Sequence, residues 1–390
     1  MNNFVYDIPT KVYFGKDQLS NLGPELKKFG NRVLLTYGGG SIKRMGLYDK
    51  VVAEIKNAGL ELFELSGIEP NPRITSVRKG VEICKTENID VVLAVGGGST
   101  LDAAKFMCAG ACVEHDPWEF FGADAKPIDT ALPLVTILTL SATGSEMDTA
   151  GVISNLETED KLGRLADPIR PRVSFLDPTL TYSVNEYQTA CGSADILSHL
   201  MEVYFDTDKG MDMIDGFMES MLRTVIKHAP IAIAEPDNYQ ARAELMWASS
   251  WAINGFVSCG KQNDWSCHPM EHELSATYDI THGLGLAILT PRWLEYCLDE
   301  TRLWRYVQFG VNVFGIDPSL EPMEIAKESI KRLSDFFFKD LGLKSNFKEV
   351  GIKAEDFEMM AKKACRDGNI NGFKTLSAED VAKIYEMCLE

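Results

Sequence analysis

The sequence predicts an α/β N-terminal dinucleotide-binding domain on a mainly parallel sheet, followed by an all-α C-terminal domain. Three observations lead there. Residues 1–180 alternate short β-branched apolar runs with stretches of helical spacing, two of those runs end in glycine-rich turns, and residues 181–390 hold long periodic stretches with almost no strand-like runs. Strand–helix alternation implies parallel strands joined by crossover helices, which cover both faces of the sheet. At 390 residues the chain exceeds what one core ordinarily serves, so two domains are expected, 1–180 and 181–390.

In chain order, RVLLTYG (Arg32–Gly38), LELFELSG (Leu60–Gly67), IDVVLAVG (Ile89–Gly96), LPLVTILT (Leu132–Thr139) and VSFLDP (Val173–Pro178) read as buried strands. Arg44–Ala58 and Ile74–Glu87 carry helical spacing between them. Beyond the boundary, Asp215–Lys227, Tyr239–Gly255, Gly285–Leu298 and Ile325–Leu341 read as helices.

Composition narrows the function classes. Fractions of 45% hydrophobic and 25% charged residues are those of a soluble globular protein. A formal charge of −18 argues against nucleic acid or an anionic membrane as partner, since both repel an acidic surface. An anionic ligand therefore needs locally placed backbone amides or a few cations. The N-terminus lacks the basic and apolar segments of a signal peptide, and no apolar stretch approaches the ~20 residues that span a bilayer. Nine scattered cysteines read as reduced thiols, so a cytoplasmic location is expected.

The turns TYGGGS (Thr36–Ser41) and VGGGST (Val95–Thr100) each follow a strand and open a helix. Glycine lets backbone approach a ligand closely, and a helix start aims unpaired N–H groups at an anion. Either alone reads as a tight turn; two at successive strand ends favour a nucleotide diphosphate lying across them. Asp102 reads as an acceptor near that ligand or as a carboxylate favoured by the helix dipole. TLSATGSE (Thr139–Glu146) is a third candidate ligand loop, or a capped helix start. The first turn continues as GGGSIKR, with no acid to hold ribose hydroxyls, while Ser41, Lys43 and Arg44 could meet a 2′-phosphate. NADP(H) is therefore favoured, with NAD(H) possible.

Half of the six histidines fall within Trp265–Pro291. Asp195 and His199 are four apart, as are His268 and His272, a spacing that sets two side chains on one helix face. A lone pair of this kind is often a solvated face. Four candidates, with the Asp and a His lying in otherwise apolar helices, point instead to a shared divalent cation, Fe2+ or Zn2+. HPMEH also fits HxxEH, which would make His268 and His272 zinc ligands and Glu271 the base of a peptidase.

With VGGGSTLDAAK, TLSATGSE, LDP at Asp177, DILSH and EHELSATYDITHGLGLAIL in order, the whole chain resembles the iron-containing (group III) alcohol dehydrogenases, whose fold is shared with dehydroquinate synthase. The branch it resembles contains NAD(P)H-dependent butanol dehydrogenases and aldehyde reductases. The resemblance implies metal ligands Asp195, His199, His268 and His282, with His272 a non-ligand facing nicotinamide and substrate. It implies Gly38, Gly39, Gly40 and Ser41 at the adenosine end and Gly97, Gly98 and Ser99 at the pyrophosphate. Asp102, Thr139, Leu140, Thr143, Ser145 and Lys161 are implied around nicotinamide and ribose. The implied activity is interconversion of short-chain primary alcohols and aldehydes by a homodimer. Competing expectations are a polyol dehydrogenase of the glycerol type, a lyase of the dehydroquinate synthase type, the HxxEH peptidase and a non-catalytic metal-bound scaffold.

Overall fold

Uninterrupted apolar runs become the inner strands of one parallel sheet. The computed structural model describes residues 1–262, 264–366 and 368–390. They fall into two units, Asp7–Val184 and Met1–Tyr6 with Asn185–Glu390. The first unit carries strands β1 (Lys11–Phe14), β2 (Arg32–Tyr37), β3 (Glu61–Leu65), β4 (Val91–Gly96), β5 (Leu134–Leu138), β6 (Ala150–Asn155), β7 (Asp160–Leu165) and β8 (Val173–Leu176). Six pair in parallel in the order β1-β8-β5-β4-β2-β3, and β6 and β7 form a separate antiparallel hairpin. Its helices are α1 (Leu22–Leu26), α2 (Ser41–Arg44), α3 (Leu47–Asn57), α4 (Ile74–Thr86) and α5 (Gly98–Gly110).

The sheet is apolar because helices cover both faces. Val33 and Leu35 on β2 and Val91, Leu93 and Val95 on β4 join Leu47, Val51 and Ile55 of α3 in one core. Elsewhere in this unit, Val77 and Val81 of α4 pack with Ala103, Phe106 and Met107 of α5. β3 corrects the expectation of a buried strand: it is an edge strand with Glu61 and Glu64 exposed. The helix read as Arg44–Ala58 is two, because Gly46 at φ +72° lies in the left-handed region and separates α2 from α3. β2 pairs with β3 on one side and β4 on the other, so the chain reverses direction across the sheet between β2 and β4. In parallel α/β sheets, ligands bind outside the carboxyl ends of the strands at such a reversal.

The second unit is built from α6 (Glu186–Tyr204), α7 (Asp212–Ala234), α8 (Tyr239–Ile253), α9 (Cys267–Tyr278), α10 (His282–Cys297), α11 (Leu303–Phe314), α12 (Pro322–Asp335), α13 (Phe357–Cys365) and α14 (Ala378–Met387). The helix read as Ile325–Leu341 ends at Asp335 and continues as a π turn, Phe336–Asp340. α6 is buried along nearly its whole length and packs against α7, α8 and α10. Met1–Tyr6 lies on this unit, where the Asn2 amide donates to Gly260 O at 2.8 Å and the Tyr6 ring meets Phe256 edge-on at 5.7 Å.

A closed set of charges lies inside the same unit. Lys261 Nζ is 2.6 Å from Asp215 Oδ1 and 2.9 Å from Asp206 Oδ2. Arg305 reaches Asp215 Oδ2 at 2.5 Å and Asp206 Oδ1 at 2.6 Å, and all four side chains are buried. Two cations and two anions cancel here, which is what permits their burial. All nine cysteines are free and eight are buried. Among the described residues, no helix is long and apolar enough to cross a membrane.

Candidate functional site

Both glycine turns stand at the strand reversal. β2 and β4 run in register, Tyr37 beside Val95, so Gly38–Gly40 and Gly97 leave the sheet side by side. α5 starts at Gly98 with Gly97 as its cap, leaving first-turn N–H groups to point at the turn. A Cβ on Gly98 would lie 2.3 Å from Thr143 Oγ1, so only glycine lets the loop after β5 rest on the start of this helix. That loop begins where the Thr139 amide donates to Gly96 O at 3.0 Å, and Leu140 packs beside Gly97. Asp102, one turn into α5, is buried and accepts from Ser145 Oγ at 2.6 Å and from the Val152 amide at 2.9 Å. Burial, the largest influence, raises its pKa. Lys105, one turn on, pairs with Asp148. Gly97, Gly98, Asp102, Leu140, Thr143 and Ser145 thus come together, while Lys161 is buried on β7 opposite Ser154.

One residue at the first turn escaped the sequence reading. Glu64 on β3 accepts from Tyr37 Oη at 3.0 Å and from Tyr48 Oη at 2.8 Å. Lys43 Nζ sits over the same two rings, 4.5 Å from Tyr48 and 5.2 Å from Tyr37. The turn itself contains no acid, and the Glu64 carboxylate on the neighbouring strand is already engaged by two phenols, one of them Tyr37 just before the turn. Parallel pairing of Leu35 with Glu64 is the physical cause, and no local motif signals it.

Three helices of the second unit converge on one carboxylate oxygen. Asp195 and His199 lie one turn apart on α6, His268 and His272 on α9, and His282 is the first residue of α10. The Nε2 atoms of His199, His268 and His282 stand 3.4, 3.9 and 3.7 Å from Asp195 Oδ1. α10 reaches this point because Gly283 abuts α6: a Cβ there would fall 2.0 Å from the Cys191 carbonyl oxygen. Asp195, His199 and His268 are buried, and His282 is partly open. Burial, then the two neighbouring imidazoles, hold the His199 pKa well below its usual value, so it is neutral.

The donor set fits a divalent cation. His268 Nδ1 is hydrogen-bonded to Glu202 and His282 Nδ1 to Glu271. In the tautomer whose Nδ1 donates to the carboxylate, each ring turns the lone pair of its Nε2 toward Asp195 Oδ1, an arrangement of acceptors that a cation would satisfy. His268 Nε2 is fully buried with no hydrogen-bond partner. Bonds of ~2.0–2.2 Å to a tetrahedral cation set neighbouring donors roughly 3.3–3.6 Å apart, close to the observed spacing. Asp195, His268 and His282 offer atoms mutually within 4.8 Å, and so do Glu271, His272 and His282. The second trio is weaker, because Glu271 already accepts from His282 Nδ1 and from Ser275 Oγ. The same two bonds occupy the carboxylate that an HxxEH peptidase would use as base; such a peptidase would also take a third, carboxylate ligand from far downstream of the motif, whereas Asp195 lies upstream of it. The His272 ring centre is 5.8 Å from that of His282.

Known proteins resemble the chain along essentially its whole length. The iron-containing alcohol dehydrogenase family model matches residues 9–178, and its C-terminal counterpart, for Fe-containing alcohol dehydrogenases, matches residues 189–389. The chain belongs to the iron-containing alcohol dehydrogenase family. Among relatives, the NADH-dependent butanol dehydrogenase A of Clostridium acetobutylicum is 53% identical over 388 residues, covering 99% of each chain. The NADPH-dependent aldehyde reductase YqhD of Escherichia coli is 35% identical over 93% of each chain. Among solved structures, the NADH-dependent butanol dehydrogenase A of Thermotoga maritima superposes with a TM-score of 0.95 at 36% identity, covering 100% of this chain and 99% of that one. As a member of this oxidoreductase family the protein is an alcohol dehydrogenase, which sets aside the peptidase, lyase and scaffold readings.

Proposed function

We propose that this enzyme interconverts short-chain primary alcohols and aldehydes of the butanol and butyraldehyde type, with aldehyde reduction by NADPH as the favoured direction. The observation that carries the proposal is the convergence of three imidazole Nε2 atoms on Asp195 Oδ1. The names of the butanol dehydrogenase and aldehyde reductase relatives support the substrate class. Asp195, His199, His268 and His282 would hold one Fe2+ or Zn2+. Gly38, Gly39, Gly40, Ser41, Gly97, Gly98, Ser99, Asp102, Thr139, Leu140, Thr143, Ser145 and Lys161 would receive the nucleotide. In this reading the α/β unit is the dinucleotide-binding domain, the helical unit the metal and substrate domain, the assembly a homodimer and the location cytoplasmic.

When bound, the cation would polarise the alcohol or carbonyl oxygen and the nicotinamide would carry the hydride. The remaining work belongs to side chains. The Asp195 carboxylate offsets cationic charge, and the neutral imidazoles supply lone pairs without adding positive charge. His272, one turn along α9 from His268, orients the substrate and exchanges the hydroxyl proton. Partly open His282 and His272 leave this side of the site reachable by a small molecule.

The deciding assay pairs elemental analysis of the purified protein with turnover of C2–C6 aldehydes, glycerol and 1,3-propanediol under NADPH and NADH. Highest kcat/KM with butyraldehyde and NADPH, and about one divalent cation per chain, is the expected result; a polyol optimum would replace the substrate assignment.

Nucleotide preference has its own test. A Cβ on Gly39 meets nothing within 4 Å, so Gly39→Asp is expected to fold normally. Its carboxylate would repel a 2′-phosphate and accept from ribose hydroxyls. The ratio of kcat/KM for NADPH over NADH should fall at least about tenfold, or about 1.4 kcal/mol. An unchanged ratio would remove the first turn from nucleotide selection.

A further inference from the structure

We infer that Glu202 and Glu271 are positioning residues that pass the metal geometry from helix to helix, each fixing the ligand carried by the next. The inference rests on the metal site proposed above. Glu202 stands on α6 one turn after His199 and two turns after Asp195, on the face that carries both. Its side chain is 1% exposed. Oε2 accepts from the Ser266 amide and from the Cys267 amide at 2.7 Å; Oε1 accepts from the His268 amide at 3.0 Å and from His268 Nδ1.

One carboxylate thus takes three amides at the start of α9 together with the ring of the ligand that follows. Ser266, at the cap position, makes no side-chain cap bond, so Glu202 does that work from another helix. The pattern repeats one step along. Glu271 stands on α9 one turn after His268, is fully buried, and accepts from Nδ1 of His282 at the start of α10 and from Ser275 Oγ. Gly285 leaves room for it, since a Cβ there would lie 2.8 Å from Glu271 Cγ. Accepting from Nδ1–H fixes the tautomer whose Nε2 binds a cation, and the negative partner makes that nitrogen a better donor to metal.

The two carboxylates differ in a way that experiment can read. Glu202 Oε2 faces two backbone N–H groups and Oε1 a third, none of which can accept, while His268 Nδ1 could accept only in the tautomer whose Nε2 carries the proton. A glutamine there would turn its own NH2 onto at least one backbone N–H in either orientation, and at the Oε1 position it would also favour the His268 tautomer that cannot bind a cation. At Glu271 the Ser275 hydroxyl can reverse, so a glutamine could accept from His282 Nδ1 and donate to Ser275. Glu271→Gln should therefore keep the geometry and lose only the charge, whereas Glu202→Gln should lose both.

The test uses the full-length protein stripped of metal and reloaded with Co2+ in competition with a chelator. Affinity, the Co2+ d–d absorption spectrum and the thermal midpoint of the stripped protein are recorded. Glu271→Gln is expected to weaken Co2+ binding roughly tenfold with a near-native spectrum, and Glu202→Gln up to ~100-fold with an altered one. Affinities within twofold of the parent in both variants, or losses confined to the thermal midpoint, would overturn the inference. If Glu202→Gln does not fold, Glu271→Gln decides alone. A parent protein that holds no Co2+ would instead sink the metal site itself.

Discussion

Replacing His268 or His282 by alanine is expected to give a folded protein with no measurable alcohol turnover and little bound metal. Each change removes one of three Nε2 atoms around Asp195 Oδ1 and strips Glu202 or Glu271 of its imidazole. The remaining donors then hold a cation with lower affinity, and a carboxylate stays buried with one proton donor fewer. Loss of Lewis-acid stabilisation at the reacting oxygen amounts to several kcal/mol, so kcat/KM should drop by about 10³-fold or more. His272→Ala separates the roles. It should retain metal while slowing turnover by roughly 10²–10⁴-fold, the range of general acid–base catalysis. Elemental analysis with steady-state kinetics on the three variants is the check. Full metal content and activity in the His268 or His282 variant would refute the ligand set, and metal loss in the His272 variant would move His272 into it.

The second large effect is on stability. Asp215→Ala leaves Lys261 and Arg305 buried with Asp206 as their remaining carboxylate. Removing one partner of a buried ionic group costs about 3–5 kcal/mol, because the remaining charges cannot return to water. For a unit of this size that lowers the thermal midpoint by roughly 10 °C. The double change Asp215→Leu with Arg305→Met restores the charge balance and should be less destabilised than Asp215→Ala. Calorimetry of the metal-free proteins reads both. Equal midpoints for parent and Asp215→Ala would mean that water reaches these charges.

Legibility followed burial. β2, β4, β5 and β8 were readable because strands covered on both faces are written as unbroken apolar runs. β1 (KVYF) is a short outer strand, and the β6–β7 hairpin mixes glycine, serine, aspartate and lysine, so neither carries such a run. LELFEL looked buried since its apolar content is high, yet its place at the sheet edge was set by strand order, which no local pattern encodes. The Asp195–His199 pairing was legible from helical spacing alone. The approach of His282 to Asp195 was not: His272 has the better spacing, but His282 arrives from the next helix, and only resemblance to the family pointed to it. Glu202 did leave a signal, a lone acid in the apolar stretch LMEVYF. A buried carboxylate three residues after a candidate ligand must find donors, and here they are the next helix start and the next ligand ring.

The attachment of Met1–Tyr6 to the helical unit has a consequence for synthesis. The first six residues leave the ribosome long before Phe256 and Gly260, the groups they rest on. At ~5–20 residues per second the delay is roughly 13–50 s, during which the α/β unit, one unbroken stretch of chain, can finish folding. Throughout that interval Met1–Tyr6, with exposed Phe4 and Val5, lacks the groups on which it rests in the folded unit.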